Sequence, residues 1–268
     1  MANTATRSDA APQPGDSYVQ SFARGLEVIR SFSAAAPEQT LSEVAARSGL
    51  TRAGARRILL TLQTLGYVQS DGKLFRLTPR ILDLGFAYLS SMPIWNLAEP
   101  VMEALATRTG ESCSAAVLDA QEIVYVIRVH THKILSLNLG VGSRLPAYCT
   151  SMGRLLLAGL PDAEVEARLR ASELKARTRH TLTGIDELMR EIRRAREQGW
   201  CLVNQELEEG LLSMASPVYG KGGEVVAALN ISGQANRTDP EQMLRAMLPA
   251  LREAAQTITQ LLRASGAR

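Results

Sequence analysis

The sequence has few cysteines, and their arrangement excludes a disulfide framework. Cys113, Cys149 and Cys201 are odd in number, far apart in the chain and outside any CxxC spacing. Disulfide-stapled secreted domains use paired cysteines, whereas a reducing cytoplasm favours free thiols. We therefore expect a cytoplasmic protein without structural disulfides.

Long apolar runs, a secretion signal and catalytic fingerprints are also missing. No apolar run approaches the roughly 20 residues that span a bilayer, so we expect no membrane partner. Residues 1–16 lack the hydrophobic region of a signal peptide and are rich in Ala, Thr, Ser and Pro. We expect a disordered tail over residues 1–17. No GxSxG, HExxH, Walker or GxGxxG pattern occurs, so we predict no enzyme, no catalytic residues and no cofactor.

Histidine is equally scarce, with only His130, His132 and His180 in the chain. His130 and His132 are two residues apart on a predicted strand, so both rings would lie on one face as a metal pair requires. No third ligand stands out, and a His-Thr-His sequence at a loop edge is more often solvated. We predict no metal site.

The length and the charge distribution indicate two domains with different partners. A chain of 268 residues can bury two modest cores. The formal net charge is only +3, but residues 18–90 hold nine Arg and Lys against five Asp and Glu. The basic excess therefore lies in the first third of the chain, which favours a nucleic-acid partner for that part.

Residues 40–77 have the pattern of a winged helix-turn-helix, preceded by a helix over Ser21–Ser33. Thr40 and Glu43 form the capping-box spacing at the start of a short helix. Gly49 then supplies the positive φ that ends it. Thr51 caps a second helix, predicted over Thr51–Leu65. Asp71-Gly72 between alternating strands predicts a hairpin over residues 67–77.

The second helix of this motif has the features of a recognition helix. Its apolar positions share one face, while Ala53, Arg56 and Arg57 point away and Arg52 lies on the flank. Arginine on an exposed helix face is usually only solvated, but its place between a helix-turn-helix and a wing favours duplex DNA. The predicted DNA-binding residues are Thr51, Arg52, Ala53, Arg56, Arg57, Lys73 and Arg76.

The rest of the chain predicts a linker helix and an α+β domain. Apolar residues at helical spacing predict a helix over Arg80–Ser91, although Gly85 weakens that pattern. Met92-Pro93 marks a boundary. Beyond it, helices and strands alternate without a regular βαβ period, which favours an antiparallel sheet flanked by helices. The predicted helices are Ile94–Thr109, Thr150–Ala158, Asp162–Ser172, Ile185–Gly199 and Asp239–Ala264. The predicted strands are Ser112–Leu118, Glu122–Val129, Ile134–Leu139, Trp200–Asn204, Leu211–Tyr219 and Glu224–Ile231.

Two segments resemble the IclR family of bacterial transcription regulators, and the resemblance extends from Tyr18 to about Leu262. One is TRAGARRILLTLQTLGYV in the winged helix. The other is GSRLPAYCTSMGRLLLA at Gly142–Ala158, similar to the family's G-x-x-x-P-x-x-x-T/S-x-x-G-K/R-x-x-L-A segment. PAYCTSMGR most resembles the branch controlling aromatic-acid catabolism through the β-ketoadipate pathway. The resemblance implies a GAF-like effector domain, dimers or tetramers, and effectors such as protocatechuate, 4-hydroxybenzoate or β-ketoadipate.

The second segment also suits an anion on physical grounds. A helix beginning near Thr150 offers free N–H groups and the positive end of its dipole to a carboxylate. Helix capping alone also explains Thr150 or Ser151, an exposed strand face explains Arg128, and a structural hydrogen bond explains Asn230. The predicted effector-binding residues are Arg128, Tyr148, Thr150, Ser151, Met152, Gly153, Asn204, Glu206, Ser213, Asn230 and Ser232.

We therefore predict three parts: a winged helix-turn-helix at residues 18–79, a linker helix at 80–92 and an effector-binding domain at 93–268. The chain is predicted to bind a pseudo-palindromic operator in double-stranded DNA as a homodimer or dimer of dimers. A small carboxylate effector would control it, and RNA polymerase is a further candidate partner. The alternative is a ligand-binding or enzymatic domain whose helix-turn-helix serves only protein contacts.

Overall fold

The computed structural model describes Gly15 and residues 18–91, 94–130 and 139–265. It contains two compact units, residues 1–86 and 87–268. The division falls within the predicted linker helix. The predicted tail apart from Gly15, the Met92-Pro93 boundary, His132 and nearly all of the predicted strand Ile134–Leu139 lie outside the described residues.

The first unit is a winged helix-turn-helix. Helices α1 (Gln20–Arg30), α2 (Leu41–Arg47) and α3 (Arg52–Thr64) pack around a small apolar core. The wing strands β2 (Val68–Ser70) and β3 (Leu74–Leu77) pair with β1 (Glu38–Thr40) in the antiparallel order β1-β3-β2. The sequence pattern did not predict β1, because three residues are too few to display an alternation. The core residues are Val28, Val44, Ala45, Ala55, Leu59, Leu62 and Val68.

Local chemistry accounts for the ends of these helices. Thr40 Oγ1 accepts a hydrogen bond from the Glu43 N–H. The Thr40 N–H in turn donates to Glu43 Oε2 at 2.7 Å, which completes the predicted capping box. The carboxyl pKa of Glu43 is lowered, first by that backbone bond and then by the Thr40 hydroxyl. Gly49 adopts φ 67° at the turn, as predicted.

A short 3-10 turn at Pro79–Ile81 leads into α4 (Leu82–Ser91), so a helix in this segment is confirmed. None of its ten residues is buried. Four large apolar side chains of α4 are between 46% and 69% exposed, namely Leu82, Leu84, Phe86 and Tyr88. These side chains do not share one face, which distinguishes α4 from the amphipathic helices elsewhere in the chain.

The second unit is a six-stranded antiparallel sheet between two layers of helices. Its strand order is β6-β5-β4-β9-β8-β7. One face packs on α5 and α9, and the other packs on α6 and α8. The strands are β4 (Ser112–Asp119), β5 (Glu122–Val129), β6 (Arg144–Pro146), β7 (Cys201–Asn204), β8 (Leu211–Tyr219) and β9 (Val225–Gln234). The helices are α5 (Ile94–Thr109), α6 (Ser151–Ala158), α7 (Asp162–Ala171), α8 (Ile185–Gln198) and α9 (Pro240–Ala264).

Alternation along the strands decides which side chains face α6. In β9, Ala227, Leu229 and Ile231 pack toward α5 and α9, whereas Ala228 packs toward α6. Asn230 therefore belongs to the α6 side. The prediction of an α+β chain with an antiparallel sheet flanked by helices is confirmed. Two details differ, because β6 was not predicted and β9 continues to Gln234.

Candidate functional site

The exposed face of α3 carries the predicted recognition residues. Thr51 Oγ1 accepts a 3.1 Å hydrogen bond from the Gly54 N–H and so caps the helix. Burial of Ala55, Leu59 and Leu62 leaves the opposite face in solvent. The exposed residues of that face include Arg52, Ala53, Arg56 and Arg57.

The two neighbouring arginines of α3 lie on different surfaces. Arg56 lines a cleft between α3 and the wing, the α3 cleft, whereas Arg57 lines a groove beside α1. The α3 cleft brings Arg52 and Arg56 to the same surface as Lys73 of the wing. Its polar residues are Thr40, Ser42, Arg52, Arg56, Gln63, Ser70 and Lys73.

The wing turn is held by its own aspartate. Asp71 Oδ1 accepts from the N–H groups of Leu74 at 2.8 Å and Lys73 at 2.9 Å. These two bonds lower the pKa of Asp71, with the Leu74 bond contributing most. Arg76 donates to Glu38 Oε1 at 2.8 Å across the β1–β3 pair. This exposed ion pair engages one guanidinium nitrogen of Arg76.

The second unit has a cavity at the N-terminus of α6, the α6 cavity, which spans about 560 Å³ counted to its open mouth. The enclosed part of this space is about 40 Å³, and the rest is open to solvent. Strands β5, β7, β8 and β9 form its walls together with the start of α6. The lining residues are Tyr125, Arg128, Leu139, Cys149, Thr150, Ser151, Met152, Val203, Leu207, Glu208, Leu211, Ser213, Asn230 and Ser232.

The start of α6 offers backbone donors to this cavity. Thr150 Oγ1 accepts from the Gly153 N–H at 3.2 Å, so Thr150 is the N-cap. Its hydroxyl proton goes to the Pro146 carbonyl at 3.1 Å. Within the described part of the chain, the N–H groups of Ser151 and Met152 have no acceptor. Both residues line the α6 cavity, where the helix dipole favours negative charge.

A cluster of hydroxyl and amide groups on β8 and β9 forms the wall next to the start of α6. Ser151 Oγ lies 2.8 Å from Ser213 Oγ, and Asn230 Nδ2 lies 3.0 Å from the hydroxyl oxygens of both Ser213 and Ser232. The N–H of Ser114 donates to Asn230 Oδ1 at 3.0 Å. Asn230 thus satisfies a backbone donor and also belongs to the cavity wall.

Arg128, which is half-buried, also lines the α6 cavity. The pairing of β4 with β5 shifts between Ala115 and Ala116, which leaves Val126 as an extra residue. This bulge brings Arg128 to the same face as Tyr125, three residues earlier. His130 is exposed.

One nitrogen of the Arg128 guanidinium, Nε, is buried without a hydrogen-bond partner among the described groups. Its guanidinium carbon lies 5.9 Å from the centre of the Tyr125 ring. Burial lowers the pKa of Arg128 and raises that of Tyr125 to about 12.

Four predicted effector-binding residues do not line the α6 cavity: Tyr148, Gly153, Asn204 and Glu206. Tyr148 is buried, and its hydroxyl donates to the Lys175 carbonyl at 2.7 Å. Asn204, at the end of β7, is exposed. Gly153 is required for packing, because a Cβ there would lie 2.2 Å from the Ala147 carbonyl oxygen.

Glu206 belongs to a buried ion pair instead. Its Oε2 accepts from Arg154 Nη2 at 2.6 Å and from the Leu182 N–H at 3.1 Å. Arg154 Nε donates to the Tyr148 carbonyl at 2.9 Å. This network lies behind α6 and holds its first turn to the loop after β7, two elements that both line the α6 cavity.

Sequence reasoning missed seven lining residues: Tyr125, Leu139, Cys149, Val203, Leu207, Glu208 and Leu211. Burial raises the thiol pKa of Cys149 to about 11. The position of Cys149 directly before the predicted anion site could have indicated that it lines the cavity. The bulge that aligns Tyr125 with Arg128 has no signature in an alternating pattern.

The comparisons with known proteins agree with this architecture. The model for the IclR helix-turn-helix domain matches residues 21–72, and that for the C-terminal part of bacterial transcriptional regulator IclR matches 86–260. The Pca regulon regulatory protein of Pseudomonas putida is 40% identical over 98% of this chain and 90% of its own length. The p-hydroxybenzoate hydroxylase transcriptional activator of Acinetobacter baylyi is 33% identical, covering 92% and 93%.

A solved structure extends the match to the fold. An IclR homologue from Microbacterium hydrocarbonoxydans complexed with 4-hydroxybenzoate has a TM-score of 0.80 at 26% identity, covering 91% of this chain and 99% of that one. Within the described residues, no helix has the length and hydropathy to cross a membrane. Matches over both units support a regulator and not the alternative of an enzymatic domain with a helix-turn-helix for protein contacts. The chain belongs to the IclR family of DNA-binding bacterial transcriptional regulators, in the branch of aromatic-acid catabolism.

Proposed function

We propose that the α6 cavity binds a small aromatic carboxylate that controls operator binding or transcriptional output. One observation carries this proposal, namely the buried Arg128 Nε, which has no acceptor among the described residues, on the wall of a cavity that Ser151 and Met152 also line. An unpaired buried donor is costly, so these groups together favour an anionic ligand. The 4-hydroxybenzoate complex of the Microbacterium homologue supports an aromatic acid.

The remaining wall suits a ring with a hydroxyl substituent. Tyr125, Met152, Leu207 and Leu211 supply aromatic and apolar contacts. Glu208 contributes a carboxylate that can accept a hydrogen bond from a phenolic hydroxyl. Protocatechuate and 4-hydroxybenzoate meet both requirements, whereas β-ketoadipate offers a second carboxylate in place of the ring.

On the DNA side, α3 enters the major groove of a half-site and the wing contacts the adjacent backbone. Arg52, Arg56 and Lys73 share the α3 cleft and face one DNA surface together. Arg57 lies on the α1 side, where it reaches a phosphate and not the same base pairs. This arrangement assigns base reading to Arg56 and positioning to Arg52, Arg57 and Lys73.

A homodimer on a pseudo-palindromic operator accounts for the apolar surface of the first unit. The large exposed side chains of α4 need cover on more than one side. A second copy supplies that cover and places two recognition helices on half-sites about 34 Å apart, or a multiple of that distance. Because α4 joins the two units, a ligand that prefers one dimer arrangement changes operator affinity through its differential affinity alone. The proposal also includes assembly of dimers into tetramers, contact with RNA polymerase and a cytoplasmic location.

Calorimetry with 4-hydroxybenzoate, protocatechuate and β-ketoadipate tests the effector site. Arg128→Met should weaken binding of the preferred acid roughly 10- to 100-fold, because a hydrogen bond to a charged group is lost. Arg144→Met is the matched control, since Arg144 pairs with Asp119 and Glu122 outside the cavity. Failure of every acid to bind, or equal losses in both variants, would refute the assignment.

Gel-shift titrations over a range of salt concentrations test the DNA surface. Arg56→Ala should weaken operator binding by about 1–3 kcal/mol and relax base preference, whereas Lys73→Ala should lower the salt slope by about one. Arg170→Ala, an exposed arginine of α7, is the control. Unchanged operator affinity in the Arg56 variant would contradict its role in base reading.

A further inference from the structure

The hydrogen bonds of the cavity wall have a direction, and one backbone group determines it. The Ser114 N–H can only donate, so the Asn230 atom that it contacts at 3.0 Å is the carbonyl oxygen. The Asn230 amide nitrogen therefore faces the sheet hydroxyls. It lies 3.0 Å from both Ser213 Oγ and Ser232 Oγ.

Counting protons then indicates which hydroxyl donates and which accepts in each contact. Asn230 has two N–H donors and gives one each to Ser213 and Ser232. The Ser232 hydroxyl also donates to Ser213 Oγ, at 3.4 Å. Either oxygen could donate in the 2.8 Å contact between Ser213 Oγ and Ser151 Oγ, but the bonds that Ser213 accepts from Asn230 and Ser232 leave its own proton for Ser151. Once Ser151 has accepted that bond, its proton is left for the cavity.

The consequence is a wall that presents donors together. The Ser151 hydroxyl proton joins the N–H groups of Ser151 and Met152 at the start of α6. Ser151 is 1% exposed, so water from outside the cavity does not reorient it freely. A carboxylate accepts hydrogen bonds from all of these donors. The N–H groups of a carboxamide would instead face the donors of the wall, and neither side could accept.

We propose that Asn230 is a positioning residue that sets the hydroxyl direction through Ser213 to Ser151, and thereby selects a carboxylate over the isosteric carboxamide. The inference rests on the proposed function, because it concerns the same cavity. Asn230 acts without touching the ligand's acid group. The expected preference of the natural chain for 4-hydroxybenzoate over 4-hydroxybenzamide is on the order of 100-fold.

Asn230→Asp reverses the direction with almost no change of shape. One carboxylate oxygen still accepts from the Ser114 N–H, and the other accepts from the hydroxyls of Ser213 and Ser232. Ser213 then has no proton for Ser151, so Ser151 donates to Ser213 and presents a lone pair to the cavity. The variant should lose affinity for the acid and gain affinity for the amide, which supplies a proton to that lone pair.

The added charge of aspartate also repels an acid, and a double-mutant cycle separates the two effects. Calorimetry would measure both ligands at pH 7.5 in the natural chain and in the Asn230→Asp, Ser151→Ala and doubly substituted variants. We expect the acid-to-amide preference to fall at least about tenfold more with Ser151 present than in the Ser151→Ala background. Equal falls in both backgrounds would mean that charge alone acts, which overturns the proposal.

A second pair of variants avoids the added charge and the risk of misfolding. Ser213→Ala removes the relay between Asn230 and Ser151, so the preference for the acid should fall roughly tenfold. Ser216→Ala is the control, because Ser216 is a buried serine of the same strand that does not line the α6 cavity. Equal preferences in the two variants contradict the relay. A natural chain that binds neither ligand overturns the effector site itself, whereas one that binds both equally overturns only the role of Asn230.

Discussion

Replacing Arg154 by methionine tests how strongly the buried ion pair stabilises the effector-binding unit. The side chains of Arg154 and Glu206 are 2% and 9% exposed, and their Nη2 and Oε2 atoms lie 2.6 Å apart. Arg154→Met leaves a buried carboxylate whose remaining hydrogen bond within the described residues comes from the Leu182 N–H at 3.1 Å. Removing one partner of a buried pair costs about 3–5 kcal/mol. The melting temperature of this unit should therefore fall by roughly 6–20 °C.

Urea unfolding followed by tryptophan fluorescence measures this loss, because Trp95 and Trp200, the only tryptophans of the chain, both belong to the second unit. The control is Arg170→Met, which breaks an ion pair of the same 2.6 Å length whose side chains are 64% and 45% exposed. An exposed pair contributes at most about 1 kcal/mol. Equal losses in the two variants would refute the argument from burial.

Three further predictions follow from the same region. Gly153→Ala should abolish effector binding and lower the stability of the second unit, because its Cβ would meet the Ala147 backbone at 2.2 Å; calorimetry and circular dichroism check this. Cys149, with a pKa near 11, should be about one part in a thousand thiolate at pH 8, so mass spectrometry should find slow alkylation, slower still with bound acid. Burial raises the pKa of Cys201 from 9.0 to about 12, so the folded thiol stays neutral where the unfolded one ionises. Stability should be complete below pH 9 and fall by roughly 1.4 kcal/mol per pH unit toward pH 12, a slope that Cys201→Ala should reduce in urea titrations.

Sequence alone predicted the features that depend on neighbouring residues. The capping box at Thr40, the cap at Thr51 and the turn at Gly49 involve groups close together in the chain. The bounds of α5, β5 and β8 also match their predicted ranges. Such features follow from local hydrogen bonding and periodicity, which a single chain displays directly.

Features that depend on distant pairing could not be predicted in this way. Glu206 meets Arg154 across 52 positions, and its polarity alone did not distinguish a ligand contact from an ion pair. Tyr148 is a second example, because its hydroxyl donates to the Lys175 carbonyl and does not line the cavity. The bulge opposite Ala115 and Ala116, which places Tyr125 and Arg128 on one face, depends on the pairing of two strands and has no local signature. Each of these errors arose because a residue type was known while its partner was not.

The cavity divides its recognition between two kinds of group, with different consequences for selectivity. The N–H groups of Ser151 and Met152 belong to the backbone, so the capacity to hold an acid survives any side-chain change that preserves the start of α6. The groups suited to a ring are side chains of separate strands and loops, including Tyr125 of β5 and Leu207 after β7. Substitutions at these positions should therefore change which acid is bound, whereas loss of acid binding altogether requires disruption of Arg128 or of the first turn of α6.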